Sequence, residues 1–207
     1  MITLFIDTSS SDVSIALIKD NIILSEIVNY IPNEHSVYAV SYVDEVLKKA
    51  NLEVSDVDKI MVVNGPGSFT GVRIGVTIAK VYAYLENIDI ICVSSLKMRA
   101  ISCSFDRYVL SLIDAHHNNY YMGLYDKDMN EVIKEGFYKK EDVIKLIDRY
   151  SPIMVSDMNI KVDDVIVNKQ ELDIVNIVNY YKDSKSINPH LVNPNYLKLP
   201  QALEELK

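Results

Sequence analysis

The chain has 207 residues, which corresponds to one or two domains, and 49% of them are hydrophobic against 24% charged. This composition is typical of a folded chain and excludes wholesale disorder. The 21 basic and 29 acidic residues give a net charge of −8, which argues against a broad nucleic-acid-binding face because such a face needs clustered lysine and arginine. The sequence predicts neither a membrane span nor a secretory signal, so a cytoplasmic protein is expected.

Short apolar runs and the turns between them predict the elements of the first half in chain order. Three strands come first and are followed by a helix for which Asn33 is the expected N-cap. A fourth strand, a glycine-rich loop, a long helix, a fifth strand and a further helix complete this half. The predicted strands are 2–7, 13–19, 22–28, 60–63 and 90–93, and the helices are 34–50, 71–86 and 95–101.

The second half begins with the same order of elements. Three strands, a helix and another strand are predicted again, at 108–114, 120–125, 132–138, 141–150 and 153–155. Proline punctuates residues 189–200, which indicates an extended segment, and a short helix is expected at 201–207.

The recurring order has a counterpart at residue level. A shift of 107 positions aligns Ile6-Asp7 with Ile113-Asp114 without a gap, and Ala16-Leu17 with Gly123-Leu124. We therefore predict an internal duplication and an α/β fold whose two similar halves, 1–104 and 105–207, face each other across a cleft. Asp7 and Asp114, which end the first strand of each half, are expected at the mouth of that cleft.

The glycine-rich run NGPGSFTGVRIG at 64–75 lies between a predicted strand and a predicted helix. Backbone amides and the helix dipole at such a place favour an anion. The run lacks the lysine of a Walker loop and the spacing of a dinucleotide fingerprint, so a turn that needs permissive backbone angles is the alternative. The candidate anion or nucleotide contacts are Asp7, Thr8, Ser9, Gly65, Gly67, Ser68, Thr70, Arg73 and Asp114.

Small residues recur every four positions along the helix after this loop, from Gly71 to Ala83, and form a ridge that allows another helix or backbone to approach closely. This helix and the one at 34–50 are apolar over most of their circumference, which predicts a second buried face against another subunit. A fully internal three-layer core is the alternative. On the first interpretation, Ala79→Arg is expected to abolish pairing and leave the monomer folded. The predicted interface residues are Val37, Val40, Val43, Val46, Leu47, Gly71, Ile74, Gly75, Ile78, Ala79, Tyr82 and Ala83.

The residue types that carry metal or nucleophilic chemistry do not form a recognisable set. None of the four histidines is placed four residues from another on a helix, and the two cysteines, Cys92 and Cys103, lack zinc spacing. The serines at 9–11 and Ser68 have neither a nucleophile-elbow pattern nor an identifiable base. We therefore predict no catalytic residue and no metal site in this chain.

Six motifs together resemble the TsaB family, the bacterial accessory subunits of tRNA threonylcarbamoyladenosine synthesis. The run at 65–75, GPGSFTGVRIG, resembles the family's most specific motif. The other matching motifs are Ile6-Asp7-Thr8-Ser9, His35-Ser36, Val93-Ser94-Ser95-Leu96, Ile113-Asp114-Ala115 and Pro194-Asn195-Tyr196-Leu197.

The resemblance implies a duplicated actin-like fold of the heat-shock-ATPase type and a non-catalytic role. It implies pairing through the N-terminal helices with a TsaD-like paralogue, which carries ATP and the metal and transfers threonylcarbamoyl to the adenosine next to the anticodon in tRNA. A TsaE-like ATPase is expected to dock on that pair, and tRNA contact is expected to be indirect. The chain itself is expected to need no cofactor and to form a homodimer when alone.

Two other functions stay open from the residues themselves. The first is an active ATP-dependent phosphotransferase of the same fold, which would use Asp7, the hydroxyls at 8–11, the loop at 65–71 and Asp114. The second is a homodimeric binding module that uses the same two helices against a second copy.

Overall fold

The computed structural model describes residues 1–32, 34–103 and 106–198. The chain divides into two compact units, and the division is not a single cut in the sequence. Unit 1 contains Met1–Ser95 together with Asp173–Pro194, and unit 2 contains Leu96–Leu172 and, of the remaining described residues, 195–198.

Unit 1 is built on a five-stranded mixed sheet with the order β3-β2-β1-β4-β5. The first three strands form an antiparallel meander, whereas β4 and β5 add in parallel because helices connect them. The strands are β1 Ile2–Asp7, β2 Asp12–Lys19, β3 Ile22–Tyr30, β4 Lys59–Val63 and β5 Asp89–Val93.

Two long helices pack on this sheet, α1 (His35–Lys49) and α2 (Phe69–Leu85). Alternate residues of β1, such as Leu4 and Ile6, are buried in one cluster with apolar residues of both helices, as expected for a strand that presents every second side chain to one face. The intervening residues of β1 are buried too, and the short helix α5 (Ile174–Tyr180) contacts β1 and β2.

The segment at 173–194 completes unit 1. The backbone N–H of Ile187 donates to the carbonyl of Ile90 at 2.8 Å and so pairs with the outer edge of β5. The ammonium of Lys80 on α2 donates to the carbonyl of Val192 at 2.9 Å, and Val192 itself is buried in the core of the unit.

Unit 2 contains a four-stranded sheet with the order β8-β7-β6-β9 and a separate two-stranded hairpin. The helix α3 (Ser95–Ser102) leads into this unit, and α4 (Lys140–Tyr150) contacts β7 and β8. The strands are β6 Val109–Asp114, β7 Asn119–Tyr125, β8 Glu131–Lys139, β9 Ile153–Ser156, β10 Ile160–Val162 and β11 Val165–Val167.

The predicted recurrence of elements is confirmed. In both units an antiparallel meander of three strands is followed by a helix and then by a strand that pairs in parallel with the first one. β1 and β6 both end at an aspartate, 107 positions apart. The predicted boundary at residues 104 and 105 and the helix at 201–207 lie outside the described residues, so these stay predictions. Asn33 also lies outside them, and the N-cap of α1 is Glu34, without a side-chain hydrogen bond to the helix.

Several observed elements are not among the predicted ones. The helix α5 and the hairpin of β10 and β11 were not predicted, because the sequence from 156 to 188 carries no strong periodic pattern. A 3₁₀ helix was not predicted at Val54–Asp56, and another at Pro189–Leu191 begins the segment that was predicted to be extended. Among the residues that the structure describes, no helix is both long enough and apolar enough to cross a membrane.

Candidate functional site

The glycine-rich loop and the turn after β1 interlock. The backbone N–H of Ser68 donates to the carbonyl of Ser9 at 2.7 Å, and the hydroxyl of Thr8 donates to the carbonyl of Gly71, also at 2.7 Å. Ser68 is the N-cap of α2, because its hydroxyl oxygen accepts from the backbone N–H of Gly71 at 3.2 Å. The start of α2 is therefore fixed against the end of β1.

The glycines of the loop are required by this close approach. A Cβ atom at Gly67 would overlap with the carbonyl oxygen of Ser9, and one at Gly71 would overlap with the carbonyl oxygen of Thr8. One helical turn later, a Cβ at Gly75 would overlap with the hydroxyl of Thr8. The predicted ridge of small residues does allow another backbone to approach closely. That backbone is the turn after β1 of the same chain, and not a second helix.

Neighbouring elements hold the loop from its other sides. Ser95, at the start of α3, donates its backbone N–H to the carbonyl of Gly65 at 3.0 Å and its hydroxyl to the carbonyl of Pro66. The imidazole Nε2 of His35 contacts the carbonyl oxygen of Ser10 at 2.7 Å. His35 is buried, so the start of α1 also fixes the turn after β1.

This geometry does not fit a nucleotide phosphate well. The carboxyl group of Asp7 is 1% exposed and accepts the backbone N–H of Ser9 at 2.8 Å, so a hydrogen-bond acceptor, and not a donor, lies under the turn. The hydroxyl of Thr8 and the N–H of Ser68 donate within the chain, whereas a phosphate would need such donors itself. Thr70 is exposed, and the guanidinium of Arg73 lies 4.1 Å from the centre of the Phe69 ring. The predicted anion contacts stay a prediction that the hydrogen bonds do not favour.

Most of the predicted interface residues on α1 and α2 face the sheet of unit 1. They are buried among its own apolar side chains and offer no surface to a partner. For these residues a direct contact with a partner stays a prediction, and their burial does not favour it. The apolar pattern of a helix does not reveal which face its own sheet covers. The buried residues are Val43, Val46, Leu47, Gly71, Gly75, Ile78, Ala79 and Ala83.

The expected outcome of Ala79→Arg changes accordingly. Ala79 is completely buried, so an arginine there would place a charge in the core and destabilise the monomer. Of the other predicted residues, Ile74 and Tyr82 are half-buried, and Val37 and Val40 are exposed at 66% and 52%.

An apolar surface nevertheless lies on the outer side of these two helices. This outer helix surface consists of side chains exposed by 44% to 68%. Exposed apolar residues mark a site of protein contact when they lie together as a patch, rather than singly. Only Val37 and Val40 were among the predicted interface residues. The outer helix surface comprises Val37, Val40, Phe69, Val81, Tyr84 and Leu85.

Unit 2 contains a pair of ionisable side chains, Asp157 and Arg99, that the sequence patterns did not indicate. Asp157 comes directly after β9, the parallel neighbour of β6, and Asp114 ends β6. Burial raises the pKa of Asp157, although the nearby guanidinium of Arg99 acts to lower it. Arg99 is 3% exposed and its Nε atom has no hydrogen-bond partner. The only available signal was that carboxyl ends of parallel neighbours meet at one sheet edge.

The described residues contain no group of three or more histidine, cysteine or acidic side chains arranged to hold a metal ion. Burial raises the pKa of Cys92 to about 11, so its thiol is protonated at neutral pH and a poor nucleophile. Burial also raises the pKa of Cys103.

Comparison with known proteins places these features in a family. A sequence model of TsaD, described as tRNA N6-adenosine threonylcarbamoyltransferase, matches residues 23–173. The tRNA threonylcarbamoyladenosine biosynthesis protein TsaB of Bacillus subtilis (strain 168) is 40% identical over 126 residues, which is 60% of this chain and 55% of the relative. The protein of the same name from Escherichia coli (strain K12) is 32% identical over 132 residues, 62% of this chain and 57% of the relative. The matches thus span little more than half of each relative, and they confirm the predicted resemblance.

A solved structure agrees over nearly the whole chain. YeaZ from Pseudomonas aeruginosa superposes with a TM-score of 0.79 at 23% identity and covers 95% of this chain and 99% of its own. A likeness at this identity concerns the fold, and together with the duplicated strand order it confirms the predicted actin-like α/β fold class.

Proposed function

The chain belongs to the TsaD family, described as tRNA N6-adenosine threonylcarbamoyltransferase, and on that premise we propose that it acts in tRNA threonylcarbamoyladenosine synthesis as a scaffold without catalytic activity. In this proposal the chain pairs with a TsaD-like catalytic subunit and stabilises it, while ATP and metal bind to that partner. A TsaE-like ATPase docks on the pair, and tRNA contact is indirect. The names of the curated relatives support the proposal.

The outer helix surface carries the proposal. The end of α2 exposes three large side chains, Val81 by 48%, Tyr84 by 62% and Leu85 by 68%. Their burial against a partner would remove apolar surface from water and so stabilise the complex. A partner with the same duplicated fold offers a similar helix pair, so two such pairs can pack as a four-helix contact. The same surface explains the expected homodimer of the isolated chain.

The interlocked loop supports the non-catalytic part of the proposal. A phosphate-binding loop presents free hydrogen-bond donors to the phosphates, whereas this loop turns the hydroxyl of Thr8 and the N–H of Ser68 inward. In this proposal the loop is structural and sets the position of α2, and with it the position of four of the six residues of the outer helix surface.

Pairing is tested first with a single change on that surface. Val81→Arg places a charge on this surface beside Tyr84 and Leu85, at a position 48% exposed, and we expect affinity for the TsaD-like subunit to fall by about thirtyfold or more if Val81 is a hot spot of the interface. The matched control is Val165→Arg on β11, where a valine is 38% exposed in the other unit. Size-exclusion chromatography and calorimetric titration measure pairing, and circular dichroism checks folding. Undiminished affinity of a folded Val81→Arg variant would overturn the placement.

An omission assay tests the function itself. TsaC-, TsaD- and TsaE-like proteins of one organism are incubated with tRNA, ATP, threonine and bicarbonate, with and without this chain, and the modified nucleoside is read by mass spectrometry. We expect product only with the chain present, and less product with Val81→Arg. Equal product without the chain would overturn the scaffold role, and nucleotide turnover by the chain alone would favour the phosphotransferase.

A further inference from the structure

The edge strand β3 leaves a row of backbone groups without a strand beside it. It is the outermost strand of the first sheet and pairs only with β2 among the described residues. The opposite edge of the same sheet, β5, is paired by the backbone of Ile187. An unpaired edge is a template for another strand, so the two edges of this sheet are not equivalent.

The corresponding edge of unit 2 is protected against such pairing. β8 is also outermost, and four of its nine residues are charged: Glu131, Lys134, Glu135 and Lys139. Its pairing with β7 is interrupted at two places by register shifts. Charges, lysine in particular, and bulges are the usual features that prevent edge-to-edge pairing.

β3 has far less of this protection. Glu26 is its only charged residue among nine, and it contains neither lysine nor proline. One register shift occurs near its start, and from 25 to 30 the pairing with β2 is regular. Six regular residues are a normal strand length, so the edge is long enough to receive a partner strand.

The exposed side chains of this edge define what can pair with it. Glu26, Val28 and Tyr30 alternate along the strand and are exposed, Val28 by 55% and Tyr30 by 70%. Side chains directly opposite each other on paired strands interact, and opposite charges or apolar pairs stabilise the pairing. A suitable strand therefore has apolar side chains opposite Tyr30 and Val28 and a basic side chain opposite Glu26.

We propose that β3 binds an extended segment of another protein by antiparallel strand addition, and that this segment presents two apolar residues and then a lysine or arginine at alternate positions. The recognition is by backbone hydrogen bonds, with Glu26 as the charge that selects the segment. A second copy of this chain fits less well, because β3 supplies no basic residue to face Glu26 and each copy carries a net charge of −8. The proposal is independent of the helix surface.

The test uses the full chain and a fluorescein-labelled, acetylated peptide amide of sequence Thr-Val-Thr-Val-Thr-Lys-Thr, monitored by fluorescence anisotropy. We expect saturable binding that Val28→Lys weakens at least fivefold. Glu26→Lys is expected to weaken binding of this peptide about fivefold, and to strengthen by a similar factor the binding of a second peptide in which glutamate replaces the lysine. Val165→Lys, a matched exposed valine on β11, is expected to leave both affinities unchanged.

The Glu26→Lys variant, tested with both peptides, distinguishes strand addition at this edge from non-specific peptide binding. Binding that is absent, or equal in all variants, would overturn the proposal. A concentration-dependent dimer that Val28→Lys dissociates, without peptide binding, would also overturn it and assign the edge to a second copy. Sedimentation velocity of the same variants makes that distinction.

Discussion

The first strands of the two units, β1 and β6, end in the same way and then take different courses. Asp7 and Asp114 each accept a hydrogen bond at 2.8 Å from the backbone N–H two residues further on. The carboxylate of Asp7 is almost completely buried, whereas the side chain of Asp114 is 39% exposed. The same local turn is thus a core element in unit 1 and a surface loop in unit 2.

The difference arises from the element that comes after the parallel strand of each unit. In unit 1, β4 leads into the glycine-rich loop and α2, and the close approach of Gly71 and Gly75 covers the turn. In unit 2, β9 leads instead into the short hairpin of β10 and β11. The turn after β6 has three consecutive exposed residues, 116–118, with positive φ. A repeated strand-and-turn unit therefore becomes core only where a helix can come close enough to bury it.

The largest effect is expected from filling the space between α2 and the turn. Gly71→Ala would drive a methyl group into the carbonyl of Thr8, which is backbone and cannot move aside, so we expect a loss of about 3 kcal/mol in the free energy of unfolding. Gly123→Ala in unit 2 meets mainly the hydroxyl end of the Tyr125 side chain, and a loss of about 1 kcal/mol is expected. Urea unfolding followed by circular dichroism measures both, and equal losses would contradict the comparison.

Removal of the two aspartates tests the burial difference directly. Asp7→Ala leaves the N–H of Ser9, a residue that is 2% exposed, without its acceptor, and a buried unsatisfied donor costs about 2 kcal/mol. After Asp114→Ala, water can replace the lost acceptor of the exposed residue His116, so the change should stay within about 0.5 kcal/mol. Thermal unfolding of the two variants measures both losses of stability. A larger loss for Asp114→Ala than for Asp7→Ala would show that Asp114 has a structural role.

The smallest effect concerns pH. Asn64 comes directly after β4 in unit 1, and Asp157 directly after β9 in unit 2, with its pKa raised by burial above the ordinary 3.8. A raised folded-state pKa means that the contribution of Asp157 to stability is complete below 3.8 and is lost as pH rises through the folded-state pKa. Relative to Asp157→Asn, the wild-type chain should therefore lose stability as pH rises from 3.8 toward neutrality. If the difference in unfolding free energy between the wild-type chain and Asp157→Asn did not change with pH, this prediction would be contradicted.

The sequence predicted the repeated strands well, because alternating apolar runs and the aspartates that end them are local features. It did not predict α5, whose four β-branched residues in seven do not favour a helix. There the carboxylate of Asp173 accepts the N–H of Asn176 and packing against the sheet supplies the rest.

The candidate site was predicted less well than the fold, for a physical reason. When a helix is apolar over most of its circumference, the sequence predicts that more than one face is buried. It does not reveal which face packs on the chain's own sheet. Val43 and Val40 look alike in sequence, yet one is completely buried and the other is 52% exposed. Arg99 and Asp157 are 58 positions apart and are brought together only by tertiary structure.

The return of residues 173–194 to unit 1 has a consequence for the order of events during protein synthesis. This segment makes its contacts in the unit that contains the N-terminus. The carbonyl of Val192 accepts a hydrogen bond from the ammonium of Lys80, and Ile187 pairs with the edge of β5. A ribosome delivers these residues only after the whole of β6 to β11 has emerged, whereas most N-terminal domains complete their folding early. Until then β5 has an open edge, and unit 1 lacks both α5, which contacts β1 and β2, and the buried side chain of Val192. Nascent chains must therefore pass through a stage in which the first unit is incomplete.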